Sequence, residues 1–329
     1  MIKLVTPENK LPAVNELPLE KQLELLKKNS ISYLGDGEVF VRRTEHGQVR
    51  SVKAPVVLEE KNGELAHIQG KTMVTAKGFY HANKIVGLSI ITPEKLTLPD
   101  GQVVVNPFPI IDTESGTIRK IWVKKLAIGY SPTGVMVVTS ATLLYDMNMY
   151  FIQDLIKKVQ FNAGAGRICM ENMITDDERK TGMFYKIDGI LGVWANFSHK
   201  EIIKCIDTLV NKKQFAERNA QTIAERVALQ KHPAMAHIAY VNAIGDDKAH
   251  RAQVTMVGFV PDFSQKQLLD IAAQAERGEE LVIDGAKAEV IETTGVASLD
   301  DMTVDADDEE KQIQGSHEPT VQTSLGGTF

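Results

Sequence analysis

The sequence predicts an α+β protein: an antiparallel β-rich N-terminal region, then mixed helices and short sheets around one long basic amphipathic helix, then a disordered acidic C-terminal tail. Three observations carry this. Tight-turn signals punctuate Val-, Ile- and Thr-rich runs from Ile31 to Leu144. Apolar residues then recur at the helical period from Ser198 to Met235. Beyond Val296 aromatic residues stop until Phe329, and Asp, Glu, Ser, Thr, Gln and Gly dominate. The boundaries this implies are an arm with a short helix over 1–30, a β-rich region over 31–145, an α/β region over 146–296 and a tail over 297–329.

In the arm, Pro18 suits a first helical turn, Leu19, Leu23 and Leu26 form one stripe, and Lys27 and Lys28 suit its end. Such an arm packs on the body or docks on a neighbouring subunit. Next, Glu45-His46-Gly47, Lys61-Asn62-Gly63, Pro99-Asp100-Gly101, Glu114-Ser115-Gly116 and Pro132-Thr133-Gly134 separate runs such as Ala54 to Leu58, Val103 to Val105 and Val135 to Thr139. This reads as a meander of hairpins.

Asp146 suits the cap of a helix over Met147 to Gln160, followed by a glycine loop, Asn162 to Arg167, and a strand over Ile168 to Ile174. After an acidic turn, Thr175 to Lys180, Asp188-Gly189 joins strands over Met183 to Ile187 and Ile190 to Phe197. The central helix opens on Ser198 and Glu201, spaced as a capping box, and stops at Lys231-His232-Pro233. Strands are expected at His237 to Ile244 and Gln253 to Val260, a helix capped by Ser264 over Gln265 to Arg277, and closing strands at Leu281 to Ile283 and Ala288 to Ile291.

The chain has 329 residues and a net charge of -6, unevenly placed. From Asp300 onward eight acids face one lysine, a local charge of -7 that leaves the remainder at about +1. Lys157 to Lys231 holds thirteen bases against nine acids. A basic body with an acidic tail suits contact with nucleic acid. Two cysteines, Cys169 and Cys205, exclude a disulfide framework and a cysteine-based metal site, and they read as core residues. With no signal peptide and no run of about 18 apolar residues, a cytoplasmic protein without membrane contact is expected.

Catalytic signatures are weak. Neither Gly-x-Ser-x-Gly nor a cysteine in catalytic context occurs. Gly164-Ala165-Gly166-Arg167 lacks the lysine of a phosphate-binding loop and reads as a turn, although Arg167 and the loop amides suit one backbone phosphate. Asp246, Asp247 and His250 read as a solvated loop. Glu59-Glu60-Lys61 has the acidic pair and lysine of metal-dependent nucleases, with Asp36 the one candidate upstream aspartate. The sequence favours a binding protein over an enzyme, and no cofactor is expected.

The binding pattern is broader. In Arg119-Lys120-Ile121-Trp122-Val123-Lys124-Lys125, period two puts Lys120, Trp122 and Lys124 on one face, an aromatic ring between two cations that can stack a base and neutralise phosphates. The bland alternative is a buried Trp122 with solvated lysines. The polar face of the central helix carries Lys200, Lys204, Lys212, Lys213, Arg218 and Arg226, and Lys157 and Lys158 close the helix before it. Trp194 is a second stacking candidate. The tail either solubilises the chain or competes for its basic groove.

Helix 147–160, the strand after it, the hairpin ending in Val193-Trp194-Ala195-Asn196-Phe197, then Ser198-His199-Lys200-Glu201-Ile202 and Phe215-Ala216-Glu217-Arg218-Asn219-Ala220 through to His232-Pro233 carry a resemblance. Over residues 147–233 the chain resembles the RecT and Red-beta type of phage single-strand annealing proteins. The resemblance implies ring or filament assembly, no ATP, and an exonuclease or single-stranded DNA-binding protein as partner. The expectation is therefore a phage or mobile-element protein that binds single-stranded DNA or RNA without sequence preference, oligomerises along it and promotes annealing or recombination. A phage structural or assembly protein forming homo-oligomers is the alternative, and a nucleic-acid-processing enzyme the second.

Overall fold

The computed structural model describes residues 31–33, 40–44, 47–68, 70–132, 134–241, 250–260, 263–283, 286–298 and 300–301. The N-terminal arm, Asp36, Asp246, Asp247 and the tail beyond residue 301 lie outside them. The fold is α+β, as expected.

The region 31–145 supplies β1 (Ile31–Tyr33), β2 (Phe40–Thr44), β3 (Gly47–Glu59), β4 (Leu65–Ile68) and β5 (Lys71–Val74). A helix then interrupts the expected meander, α1 (Ala76–Val86), capped by the Thr75 hydroxyl and closed by Gly87 at φ 76. It forms because Phe79, Ala82 and Val86 fall on one buried stripe. The hairpins resume with β6 (Ser89–Ile91), β7 (Lys95–Thr97), β8 (Val103–Val105), β9 (Phe108–Ile111), β10 (Ile118–Tyr130) and β11 (Met136–Asp146).

Asp146 caps α2 (Met147–Phe161), accepting from the amides of Asn148 and Met149, as its sequence predicts. β12 (Gly166–Met170) follows. The acidic turn is a short helix, α3 (Asp176–Thr181), with a capping box between Thr175 and Glu178. β13 (Gly182–Asp188) and β14 (Leu191–Asn196) form the Asp188-Gly189 hairpin.

The single long helix is in fact two, α4 (Lys200–Gln214) and α5 (Ala216–Lys231), parted at Phe215 with φ -108 and ψ 19. Its cap is His199, whose Nδ1 accepts from the Glu201 amide, and not Ser198. Asn196 takes the Ser198 amide, and the Glu201 carboxylate turns to Lys158 at 2.9 Å. The strand expected from His237 begins as a short 3-10 turn, Ala236–Ile238, and residues 242–249 are not described. β15 (Arg251–Val260), α6 (Gln265–Glu276) with a Ser264–Gln267 capping box, β16 (Val282–Ile283), β17 (Ala286–Lys287) and β18 (Glu289–Val296) complete the order.

Two pairings cross the expected boundary at residue 145. β15 joins the β1-β2-β3 sheet antiparallel on β3, and β18 joins β11 in parallel at the edge of a five-stranded sheet. One core cluster accordingly draws Leu58, Phe79, Ile121, Tyr145, Ile223 and Met256 from both halves. Within it α5 covers one face of β10 and β11; a second cluster packs Ile271, Ala272 and Ala275 of α6 against Leu126, Ile128 and Val138 on part of the other. A smaller sheet, β12-β14-β13, packs Val193 and Ala195 on α2 and α4. The expected tail begins too early at 297: Ala297 is buried, and Asp301 meets Arg226 on α5.

Candidate nucleic-acid interface

β10 carries the expected alternation. Ile121 and Val123 point into the core, whereas Lys120, Trp122 and Lys124 share the outer face and are half-buried. Strand register then adds an aromatic neighbour that sequence periodicity did not single out: Trp122 lies opposite Phe108 on β9 and Leu144 on β11. Arg119 sits at a register shift between Ile118 and Lys120, and this bulge leaves it exposed. The flanking lysines are ion-paired, Lys120 with Asp146 at 2.7 Å and Lys124 with Glu276 at 3.1 Å.

Lys125 is not part of this surface. It points the other way and is only 3% exposed; its ammonium donates to Thr92 at 2.8 Å, Gln221 at 3.0 Å and Glu225 at 2.6 Å. All three donors are used, so this buried ammonium is fully hydrogen-bonded.

Arg226, too, is absent from the outward face. At 1% exposure it lies on the core side of α5, bound to Gln230 at 3.1 Å and to Asp301. Counting bases on a helical wheel put it outward because its partner, Asp301, is remote in sequence.

Arg167 forks both carboxylate oxygens of Glu178, at 2.9 and 3.0 Å, and donates to the Met173 carbonyl at 2.9 Å. That fork, with the Thr175 amide, holds the Glu178 carboxyl down at about 2. Its guanidinium ties α3 to β12, so a phosphate at the glycine loop would have to displace Glu178 from it. Trp194 is buried, with its indole N–H on the Glu178 carbonyl at 3.0 Å, and is no stacking platform.

The other bases divide by position. Lys212 is drawn towards Asp154 at 3.8 Å and lies 5.7 Å from the centre of the Tyr150 ring. Lys213 reaches the Thr117 hydroxyl at 3.1 Å, and the Arg218 guanidinium stacks 4.4 Å from the Phe215 ring centre. Lys157, Lys158, Lys200 and Lys204 gather where the end of α2 meets the start of α4. Lys157 and Lys200 are exposed, while Lys158 and Lys204 share Glu201 at 2.9 and 3.5 Å. One helical turn past Lys157 stands Phe161, 85% exposed. The sequence signal was there, an aromatic four residues from a lysine at a helix end.

Two groupings of aromatic rings and cations therefore mark the two ends of α2. Lys120 binds Asp146, the cap of that helix, and Phe161 is its last residue. Fifteen helical residues rise about 22 Å. Comparison with known protein families, curated proteins and solved structures finds no match. The functional reading accordingly stands on this geometry. Among the described residues no helix is long and apolar enough to cross a membrane.

Proposed function

We propose that this chain is a non-catalytic protein that binds single-stranded nucleic acid without sequence preference and oligomerises along it to promote annealing. The observation that carries the reading is Trp122, in register with Phe108 and held between Lys120 and Lys124 on a sheet face. An aromatic ring offers every base the same π face, and ammonium groups beside it meet the phosphates. A strand that also reached the grouping at Phe161 would run the length of α2, about 22 Å, or roughly six nucleotides at the 3.4 Å spacing of stacked bases. The order of elements over residues 147–233 supports the annealing role by its resemblance to the RecT and Red-beta type. Single-stranded DNA is the probe, with RNA the comparison.

The test is anisotropy of a labelled oligothymidylate titrated with the full chain. Loss of one stacked base costs about 1–3 kcal/mol, so Trp122→Ala is expected to weaken binding roughly 5- to 150-fold. Trp122 emission should also be quenched on binding while buried Trp194 is unaffected. Wild-type affinity in Trp122→Ala and in the Lys120→Ala/Lys124→Ala pair would sink the proposal.

One observation favours a second reading, a structural or assembly protein forming homo-oligomers. Ile168 and Met170 share a face of the small sheet with Leu191 and stay about half exposed, at 50% and 47%. Concentration-dependent oligomers in sizing experiments without nucleic acid, lost in Ile168→Ser/Met170→Ser, would favour it.

A further inference from the structure

At the end of β3 the chain makes a single 3-10 turn, Glu60–Asn62, closed by Gly63 at φ 70. β15 starts with Arg251 opposite Glu59, which brings His250 beside that turn, and the Glu60 amide donates to the His250 carbonyl at 2.8 Å. β4 then carries His67 back over the same turn. One ligand atom each from Glu60, His67 and His250 converges, all within 4.8 Å of one another. His67 Nε2 lies 3.5 Å from Glu60 Oε2, and His250 Nδ1 is hydrogen-bonded to that same oxygen.

We propose that Glu60, His67 and His250 form a binding site for a divalent transition metal of the zinc class. Two imidazoles and a carboxylate suit zinc and its neighbours, whereas magnesium and calcium take oxygen sets. Ligand atoms of a tetrahedral zinc site with bonds of about 2.0–2.1 Å stand roughly 3.4 Å apart. The His67–Glu60 edge already has that length. The remaining adjustment falls on His250, whose side chain is 69% exposed and free to turn.

The surroundings fit a cation. His67 Nδ1 sits 3.1 Å from the Thr72 hydroxyl, a contact that fixes the ring and leaves Nε2 facing Glu60. Two bases adjoin the cluster, Lys61 and Arg251, and both are paired with Glu59 at 2.9 Å. Of the two consecutive carboxylates, Glu59 thus neutralises the neighbouring cations and Glu60 faces the histidines. A cleft of about 330 Å³ lined by Glu59, Glu60, Lys61, His250 and Arg251 adjoins the cluster on the side of Glu60 and His250. The metal would staple the β3–β4 turn to His250, the residue just before β15, fastening a pairing between remote parts of the chain.

The experiment is calorimetric titration of chelator-washed full-length protein with zinc chloride at pH 7.5. One-to-one binding is expected, unaffected by millimolar magnesium, with a thermal midpoint that rises on zinc addition. Glu60→Gln and His67→Ala should each weaken binding at least about tenfold, and Thr72→Val about tenfold through the lost ring contact. His81→Ala removes a histidine paired with Glu64 at 2.7 Å outside the cluster and should change nothing. Absence of one-to-one binding, or binding that survives His67→Ala/His250→Ala with the fold intact by circular dichroism, would overturn the proposal.

Discussion

Replacing Asp301 with alanine removes the carboxylate that faces Arg226 in the core. Arg226 is anchored on α5, and Asp301 is itself held in place by the amide and hydroxyl of Ser298 at 2.8 and 2.7 Å. Breaking a buried ion pair from one side costs about 3–5 kcal/mol. Here the low end applies, because Arg226 keeps Gln230 and the Asp301 side chain is about one-fifth exposed. A loss of about 3 kcal/mol is expected, read as a lower urea midpoint at unchanged slope and a thermal midpoint lower by roughly 6 °C.

Charge can be separated from shape with Asp301→Asn, and pairing from packing with a cycle through Arg226→Met, whose coupling should exceed about 1.5 kcal/mol. The pH response has a definite sign. Burial opposes ionisation of Asp301, but the Arg226 charge and the Ser298 hydrogen bonds outweigh it and hold the carboxyl below its ordinary value. The contribution is therefore complete above about pH 4 and disappears as pH falls through the depressed value. Asp301→Ala within about 0.5 kcal/mol of wild type would refute the argument, since that is the range of an ordinary surface change.

Lys125→Met should cost about 3 kcal/mol by leaving half-buried Glu225 without its ammonium, while Lys120→Ala and Lys124→Ala each cost no more than about 1 kcal/mol; urea melts of the three variants decide it. Truncation after Val296 should destabilise strongly, because it removes Ala297, whose carbonyl accepts from Tyr150, together with Asp301. Truncation after Asp301 should leave the melt unchanged and raise affinity for an oligonucleotide where the acidic tail competes; unaltered affinity assigns the tail to solubility. His232 is buried, and desolvation pulls its imidazole down to about 4. The unfolded chain then takes up a proton first, so stability should decline from about pH 6.5 toward 4 with a slope of at most about 1.4 kcal/mol per pH unit, and His232→Gln should flatten that limb.

What could be read from the sequence was local. Asp146 and Ser264 announce helices because a cap needs only residues within one turn, and Asp188-Gly189 announces a hairpin because the turn imposes φ 55 on the glycine. The alternation that puts Lys120, Trp122 and Lys124 on one face is likewise a property of a single strand. Partners far along the chain were not legible. Nothing in Ala54 to Leu58 specifies that β15 will pair with it, nor does Val137 to Leu144 specify a parallel neighbour from residues 289–296. The same remoteness hid the buried charges: Lys125 and Arg226 look like surface bases until Glu225 and Asp301 are brought to them. α1 escaped because Gly78 breaks its pattern, yet the glycine is required there, since a Cβ would lie 2.4 Å from the Glu64 carbonyl.

The ion pairs on the proposed interface have a consequence for how binding responds to salt. Each lysine that neutralises a phosphate of a single strand releases counterions and adds about 0.7 to the slope of log affinity against log salt. Lys120 and Lys124, however, already hold Asp146 and Glu276, and a phosphate that displaces a carboxylate leaves it to recruit a cation of its own. Their net release is small, so the observed slope should fall short of the number of bases in contact. Asp146→Asn isolates this effect. Asparagine caps a helix as well as aspartate does, so α2 should remain intact, while Lys120 loses its counter-charge. The variant should bind an oligothymidylate more tightly at low salt, with a slope steeper by about 0.7 than wild type. An unchanged slope in a variant with unchanged helicity would mean that Lys120 meets no phosphate, and the sheet face would then be a stacking surface without an electrostatic part.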